Sequence, residues 1–93
     1  MANYKLSKLA KEDLIRIHEY GTRNFGEPRA EKYFLALFDR FEEIAQRPYS
    51  FEDVSYIASG YRRCISGVDT IYFRVENESI EIMTIIGRQE FNP

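Results

Sequence analysis

Between Pro28 and Pro48 the chain carries Ala30, Tyr33, Phe34, Leu37, Phe38, Phe41, Ile44 and Ala45. These residues recur three and four positions apart, the spacing of the core-facing stripe of one long helix. Roughly twenty residues at the helical rise give a length of about 30 Å. Pro28 suits the first turn of such a helix and Pro48 ends it. Each large side chain on the stripe contributes about 1.5–3 kcal/mol on burial, before ordering entropy is subtracted. So wide an apolar face cannot stay in water, and the rest of the chain must supply the surfaces that cover it.

The segment before Pro28 supplies a second helix. Ser7 offers an N-cap, and Ala10, Leu14, Ile17 and Gly21 follow at i, i+4, i+7 and i+11. Asp13, Arg16 and Glu19 sit off that stripe. Gly26 is a C-terminal stop, and so short a link favours an antiparallel hairpin of the two helices. Residues 2–6 alternate Tyr4 and Leu6 against Asn3 and Lys5, a short strand signal. Residues 48–59 read as a loop with some apolar content (Phe51, Val54, Ile57).

After Gly60 the period switches from helix to strand. Tyr61–Ser66, Thr70–Val75 and Ser79–Ile86 are three strand-like runs, broken by Ser66-Gly67-Val68-Asp69 and Glu76-Asn77-Glu78. Ile71, Phe73 and Val75 alternate with Thr70, Tyr72 and Arg74, so the middle strand covers the helices with one face. The predicted architecture is α+β with the order βααβββ, a helix hairpin packed on a small antiparallel sheet. All of residues 1–93 belong to one domain.

Charge and cysteine usage narrow the function. The net charge is −2, which argues against broad binding of a phosphate backbone while leaving room for a local basic patch. Cys64 is the only cysteine, so no internal disulfide and no zinc cluster is available, and a reduced, cytoplasmic compartment is the expectation. No apolar run reaches the length of a membrane span, and the start Met-Ala-Asn-Tyr-Lys lacks an apolar signal region. No phosphate-binding glycine loop and no Cys–His or Ser–His pairing is recognisable, and no cofactor is expected. His18, the one histidine, reads as a surface or interface residue beside Ile17.

The strand pattern places Arg62 and Arg63 on opposite faces. Arg63 falls on the outer face near Thr70, Tyr72, Arg74 and Arg88, where it either forms a contact patch or pairs across strands with Glu76, Glu81 or Glu90. Arg62 points inward with Cys64 and needs a helix carboxylate or a terminal carbonyl as partner. Cys64 itself reads as a small hydrophobe. Tyr61 and Tyr72 read as packing and hydrogen-bonding residues rather than platforms for bases.

The whole chain resembles the RelE/ParE superfamily of toxins. Two stretches carry the likeness most specifically. One is Gly60-Tyr61-Arg62-Arg63-Cys64-Ile65-Ser66-Gly67 running into Thr70-Ile71-Tyr72-Phe73-Arg74-Val75. The other is Ile80-Glu81-Ile82-Met83-Thr84-Ile85-Ile86-Gly87-Arg88-Gln89-Glu90-Phe91. The first helix, with Ala10, Glu12-Asp13-Leu14 and Ile17, is similar to the ParE branch. The resemblance implies a toxin that a ParD-like antitoxin holds inactive, with DNA gyrase as target in the ParE branch and ribosome-bound messenger RNA in the RelE branch.

RelE-like ribonucleases use several Lys and Arg on the meander strands and a C-terminal Tyr. On that pattern this chain retains Arg63, has Tyr61, Thr70 and Gln89 where basic residues are expected, and ends Phe91-Asn92-Pro93 with no such Tyr. The resemblance thus implies a gyrase poison with no catalytic residue. Arg63, Arg74, Arg88 and Phe91 are its candidate target contacts, and Arg63, Tyr72 and Arg74 its candidate antitoxin contacts. A homodimer of the free toxin stays open. The alternatives are a RelE-type ribonuclease built on Arg63, Arg74 and Arg88, and a non-toxic relative that only binds antitoxin.

Overall fold

Ser7 sets the first helix, as its position in the sequence requires. Its hydroxyl accepts a hydrogen bond from the Ala10 N–H at 3.0 Å and donates to the Met83 carbonyl at 2.8 Å, so one side chain both caps the helix and ties it to the sheet. In the computed structural model, which describes residues 3–87, this helix, α1, spans Lys8–Phe25. Gly26 follows with φ +89°, a conformation that favours glycine. The second helix, α2, runs Glu27–Gln46 with Pro28 in its first turn. A Cβ on Gly21 would lie only 3.1 Å from the Ala30 Cβ, so the two helices approach closely at that crossing.

The strands are β1 (Tyr4–Leu6), β2 (Glu52–Asp53), β3 (Tyr61–Ser66), β4 (Asp69–Glu76) and β5 (Ser79–Gly87), in the spatial order β1-β5-β4-β3-β2. A turn of 3₁₀ helix at Pro48–Ser50 leads from α2 to β2. The α+β class and the three long strands agree with the sequence reading. Two features differ. First, β1 pairs with β5 in parallel, so the sheet is mixed rather than antiparallel; the long connection that a parallel pair needs is the helix hairpin together with β2, β3 and β4. Second, the stretch read as loop contains β2, whose Glu52 and Asp53 pair with Arg63 and Arg62. Two residues are too few to show a period.

Both helices lie on one face of the sheet. Leu14, Ile17, Leu37, Phe41 and Ile44 meet Cys64, Ile71, Phe73, Ile80, Ile82 and Ile85 in one core. Phe34, Phe38, Phe41 and Tyr4 form a chain of tilted or edge-on rings with successive centroids 5.2, 5.2 and 5.6 Å apart, arrangements in which ring edges meet ring faces. Val54 in the β2–β3 connection is fully buried, whereas Ile57 is exposed.

Where strands run out, helix side chains take their place. Beyond Leu6, β5 has no neighbouring strand, and α1 covers its edge. Asp13 Oδ2 accepts from the Ile85 N–H at 2.9 Å and from the Thr84 hydroxyl at 2.8 Å, while Arg16 Nη2 donates to the Ile85 carbonyl at 3.2 Å. Arg16 Nη1 closes the set at 3.0 Å from Asp13 Oδ1. On the other side of the sheet, past β2, Arg40 of α2 donates to the Ile65 carbonyl at 2.9 Å. Such capping removes sites at which another strand could add. Asp13 lies off the apolar stripe and is nonetheless almost fully buried, because the β5 edge needs its carboxylate.

Candidate functional site

The face of the sheet turned away from the helices carries most of the residues that the sequence singles out. Strand alternation places Arg63, Tyr72 and Arg74 there together, with Arg63 opposite Tyr72 and Arg74 between Tyr61 and Glu81 in the register of β3, β4 and β5. The grouping agrees with the sequence reading. Its electrostatics turn on what each cation touches.

Arg63 grips Glu52 of β2 with two bonds, Nε to Oε1 at 2.8 Å and Nη2 to Oε2 at 3.3 Å, the planar fork geometry that makes such pairs the strong ones. Arg74 Nη2 sits 2.7 Å from Glu76 and 3.2 Å from Glu81. Lys5 Nζ reaches the same Glu76 at 3.1 Å. The Lys5 ammonium first, and Arg74 after it, hold the Glu76 carboxyl below the usual carboxylate range. Among the described residues, three cations (Lys5, Arg63, Arg74) therefore face three carboxylates (Glu52, Glu76, Glu81), and the formal charges of these six cancel. A phosphate approaching Arg63 or Arg74 would have to displace a carboxylate from its guanidinium.

The cross-strand pairing expected of Arg63 with Glu76 or Glu81 is corrected by the structure: those carboxylates go to Arg74, and Arg63 takes Glu52 instead, from the strand that the sequence did not reveal. Lys5 was missed for a similar reason, since it reaches the site only through the parallel β1–β5 pairing. Arg62 turns inward as expected. Its partner is the loop rather than a helix: Nη1 donates to the Phe51 carbonyl at 2.8 Å, Asp53 lies 3.6 Å from Nη2, and the guanidinium stacks 4.9 Å from the Tyr49 ring centroid. Cys64 is a buried free thiol whose pKa is raised by burial. His18 bridges the helices, with Nε2 3.3 Å from Glu31 Oε1 and its ring edge-on to Phe34. Gln89, Glu90, Arg88 and Phe91 lie outside the described residues.

Thr70 sits between Ile65 and Ile86 in the register, so the end of the face nearest the β3–β4 turn is apolar. That turn is fixed from below. The Tyr33 hydroxyl of α2 hydrogen-bonds at 2.8 Å to the Ser66 carbonyl and at 2.5 Å to Asp69 Oδ2. Burial first, and the Asp69 carboxylate second, raise the Tyr33 pKa well above that of an ordinary phenol. A Cβ on Gly67, which has φ +62°, would fall 2.6 Å from the Tyr33 ring. No group of acidic, histidine or cysteine side chains among the described residues is arranged to hold a metal ion. No helix among them is long and apolar enough to cross a membrane.

Known proteins are similar to this chain in sequence and in fold. The family model described as the ParE toxin of the type II toxin–antitoxin system parDE matches residues 4–90. Toxin ParE1 of Caulobacter vibrioides is 34% identical over 86 residues, which cover 92% of this chain and 88% of that protein. Among solved structures, the chromosomal ParDE TA system from P. aeruginosa superposes with a TM-score of 0.82 at 20% identity, covering 94% of this chain and 96% of that one. The RelBE2 toxin–antitoxin complex from Mycobacterium tuberculosis superposes with a TM-score of 0.71 at 13% identity, covering 94% and 98%. At these identities the two structures speak for the fold alone.

Proposed function

The chain belongs to the ParE toxin family, the toxins of type II ParDE toxin–antitoxin systems, and from that premise we propose that it stops growth by binding and poisoning DNA gyrase without catalysing a reaction itself. The observation that carries this reading is the pairing on the open face of the sheet. Metal-free cleavage of RNA needs cations free to stabilise the charge on a phosphorane-like transition state, and groups poised to move protons. Here Arg63 is engaged by Glu52 and Arg74 by Glu76 and Glu81, and Tyr61 and Thr70 stand where the ribonuclease branch carries bases. A face of balanced charge with Tyr72 at its centre and an apolar end suits contact with protein better than with a phosphate chain.

In this reading Arg63 and Arg74 contact gyrase, together with Arg88 and Phe91. A ParD-like antitoxin neutralises the toxin by covering Arg63, Tyr72 and Arg74. The test is a gyrase supercoiling and cleavage assay with purified toxin, run beside a ribosome-dependent messenger RNA cleavage assay. Inhibited supercoiling or stabilised DNA breaks, with intact message, is the expected result. Message cut at ribosome-bound codons with gyrase unaffected would overturn the reading and make Arg63 a candidate catalytic group.

A further inference from the structure

The outer face of the sheet holds a square of two tyrosines and two arginines. Tyr61 and Arg63 follow each other on that side of β3, and Arg74 and Tyr72 stand across from them on β4, Tyr61 opposite Arg74 and Arg63 opposite Tyr72. Neighbours on one face lie about 7 Å apart along a strand and about 5 Å apart across strands. All four residues are at least partly exposed. Aromatic rings alternating with guanidinium groups at such spacing are the parts of a site for single-stranded nucleic acid, in which bases stack on the rings while cations follow the phosphates.

Carboxylates close this square, and they do so unequally. Arg74 is held twice, by Glu76 at 2.7 Å and by Glu81 at 3.2 Å. Losing either carboxylate leaves Arg74 with the other. Arg63, beside both tyrosines, has one carboxylate within salt-bridge distance among the described residues. That one is Glu52, which takes it through Nε at 2.8 Å and Nη2 at 3.3 Å. Glu52 first, and the Tyr72 hydroxyl after it, raise the Arg63 pKa, so the phenol lies against the guanidinium that the carboxylate occupies. Arg63 is therefore the cation of the square that a single substitution would free.

The neighbours of Glu52 put it there. Val54 is fully buried, and its N–H donates to the Tyr61 carbonyl at 2.9 Å. The Phe51 ring packs edge-on against Phe73 with centroids 6.0 Å apart, and the Phe51 carbonyl accepts from Arg62. Asp53 Oδ1 accepts from the Ser55 N–H at 2.8 Å. The backbone of Glu52 is thus held on both sides and in register with Arg63. A two-pronged pair on an anchored backbone is the kind of surface ion pair that persists.

We propose that Glu52 sets the partner class of this face: its carboxylate closes a latent site for single-stranded nucleic acid formed by Tyr61, Arg63, Tyr72 and Arg74, and so reserves the face for protein. The proposal rests on the gyrase reading above and adds to it the residue that enforces it. An element that turns away the wrong partner contributes to specificity as much as one that attracts the right one. RNA and DNA strands bring the same chemistry, a phosphate for Arg63 and bases for the rings, and both meet Glu52.

The test measures binding of short, fluorescently labelled oligouridylate and oligothymidylate to the full-length chain by anisotropy, at several salt concentrations. Glu52→Gln keeps the shape of the side chain and removes its charge. It should bind at least about tenfold more tightly than wild type, with a salt slope steeper by about 0.7, the share of one phosphate on a single strand. A gain on one of the two strands alone would also support the site and would name the sugar it prefers. E19Q removes the same charge from an exposed position on α1 and should bind as wild type, and E52Q/R63A should lose the gain. Circular dichroism checks that each variant is folded, and E52A takes the place of E52Q should the amide disturb β2. Equal binding by wild type and E52Q, an equal gain in E19Q, or a gain that survives R63A would overturn the proposal. None of these readings involves gyrase, so wild-type toxin that leaves gyrase unaffected would overturn the parent reading by a separate result.

Discussion

Replacing Asp13 with alanine tests whether side chains of α1 stand in for a missing strand. In the native fold the Asp13 carboxylate accepts three bonds: from the buried Ile85 N–H, the Thr84 hydroxyl and the Arg16 guanidinium. Alanine leaves the Ile85 amide without a partner at a position that water does not reach, since Ile85 is fully buried. An unsatisfied buried amide costs about 1–3 kcal/mol, and the stranded Thr84 hydroxyl brings the total to about 2–4 kcal/mol. Arg16 adds little, because its side chain is 38% exposed and water can solvate it. For a domain of this size, about 4–8 °C of melting temperature goes with each kcal/mol, so the midpoint should fall by about 8–32 °C. Urea unfolding followed by circular dichroism gives the free energy, and hydrogen exchange of the Ile85 amide gives the local effect. Asp13→Asn keeps one carbonyl oxygen as acceptor and should cost about half as much. A loss below about 1 kcal/mol in Asp13→Ala, with the Ile85 amide still protected, would refute the argument, because an edge that water or a backbone shift can satisfy needs no carboxylate.

Tyr33→Phe should cost about 1–3 kcal/mol by removing the hydrogen bonds that fix the β3–β4 turn, and Gly67→Ala a similar amount, since its Cβ meets the Tyr33 ring at a positive φ; chemical denaturation measures both. Cys64 should react with a chromogenic disulfide reagent at neutral pH only at the rate of unfolding, because burial keeps the thiol protonated and covered; rapid native-state labelling would contradict this. Glu76 has a depressed folded-state pKa, so the stability that it contributes is present above its unfolded value near 4.5 and is lost as pH falls through the folded value. Lys5→Ala should therefore flatten the acid limb of the stability profile, an effect that shrinks at high salt.

The fold was legible in the sequence wherever one period ran long enough to be counted. The α2 stripe, the Ser7 cap, Gly26 and the alternation of Ile71 and Phe73 all depend on local spacing, and all stand in the structure. What escaped depends on contacts between distant segments. Strand β5 illustrates the limit: Ile80 and Ile82 face the core, and strict alternation would continue to Thr84 and Ile86. The register shift between Tyr72 and Phe73 leaves Met83 as an extra residue opposite them and turns Ile85 inward instead. Asp13 looks, in sequence, like any carboxylate beside an apolar stripe; only the end of β1 above it makes it structural. The alternation of Arg62 and Arg63 was readable, but their partners were not, since Glu52 and Asp53 reach them through a two-residue strand.

The same dependence on distant contacts decides which cations can serve a partner. Net charge treats all arginines alike, and by that measure this acidic chain should interest no anion. The fold sorts them. Arg16 and Arg40 are spent on the edges of the sheet, Arg62 on the β2 loop, and Arg63 and Arg74 on carboxylates of the open face. An arginine already paired gives an incoming carboxylate only the difference between two similar interactions, whereas an unpaired one gives the whole of it. Arg23 and Arg29 are the unpaired ones among the described residues. If partner recognition follows this sorting, charge reversal at Arg23 and Arg29 should weaken antitoxin binding more than reversal at Arg63 and Arg74. Gyrase inhibition, which is proposed to use the open face, should show the opposite order. Measuring both activities on the same two double variants, R23E/R29E and R63E/R74E, separates the surfaces. The same order in both assays would mean that one surface serves both partners.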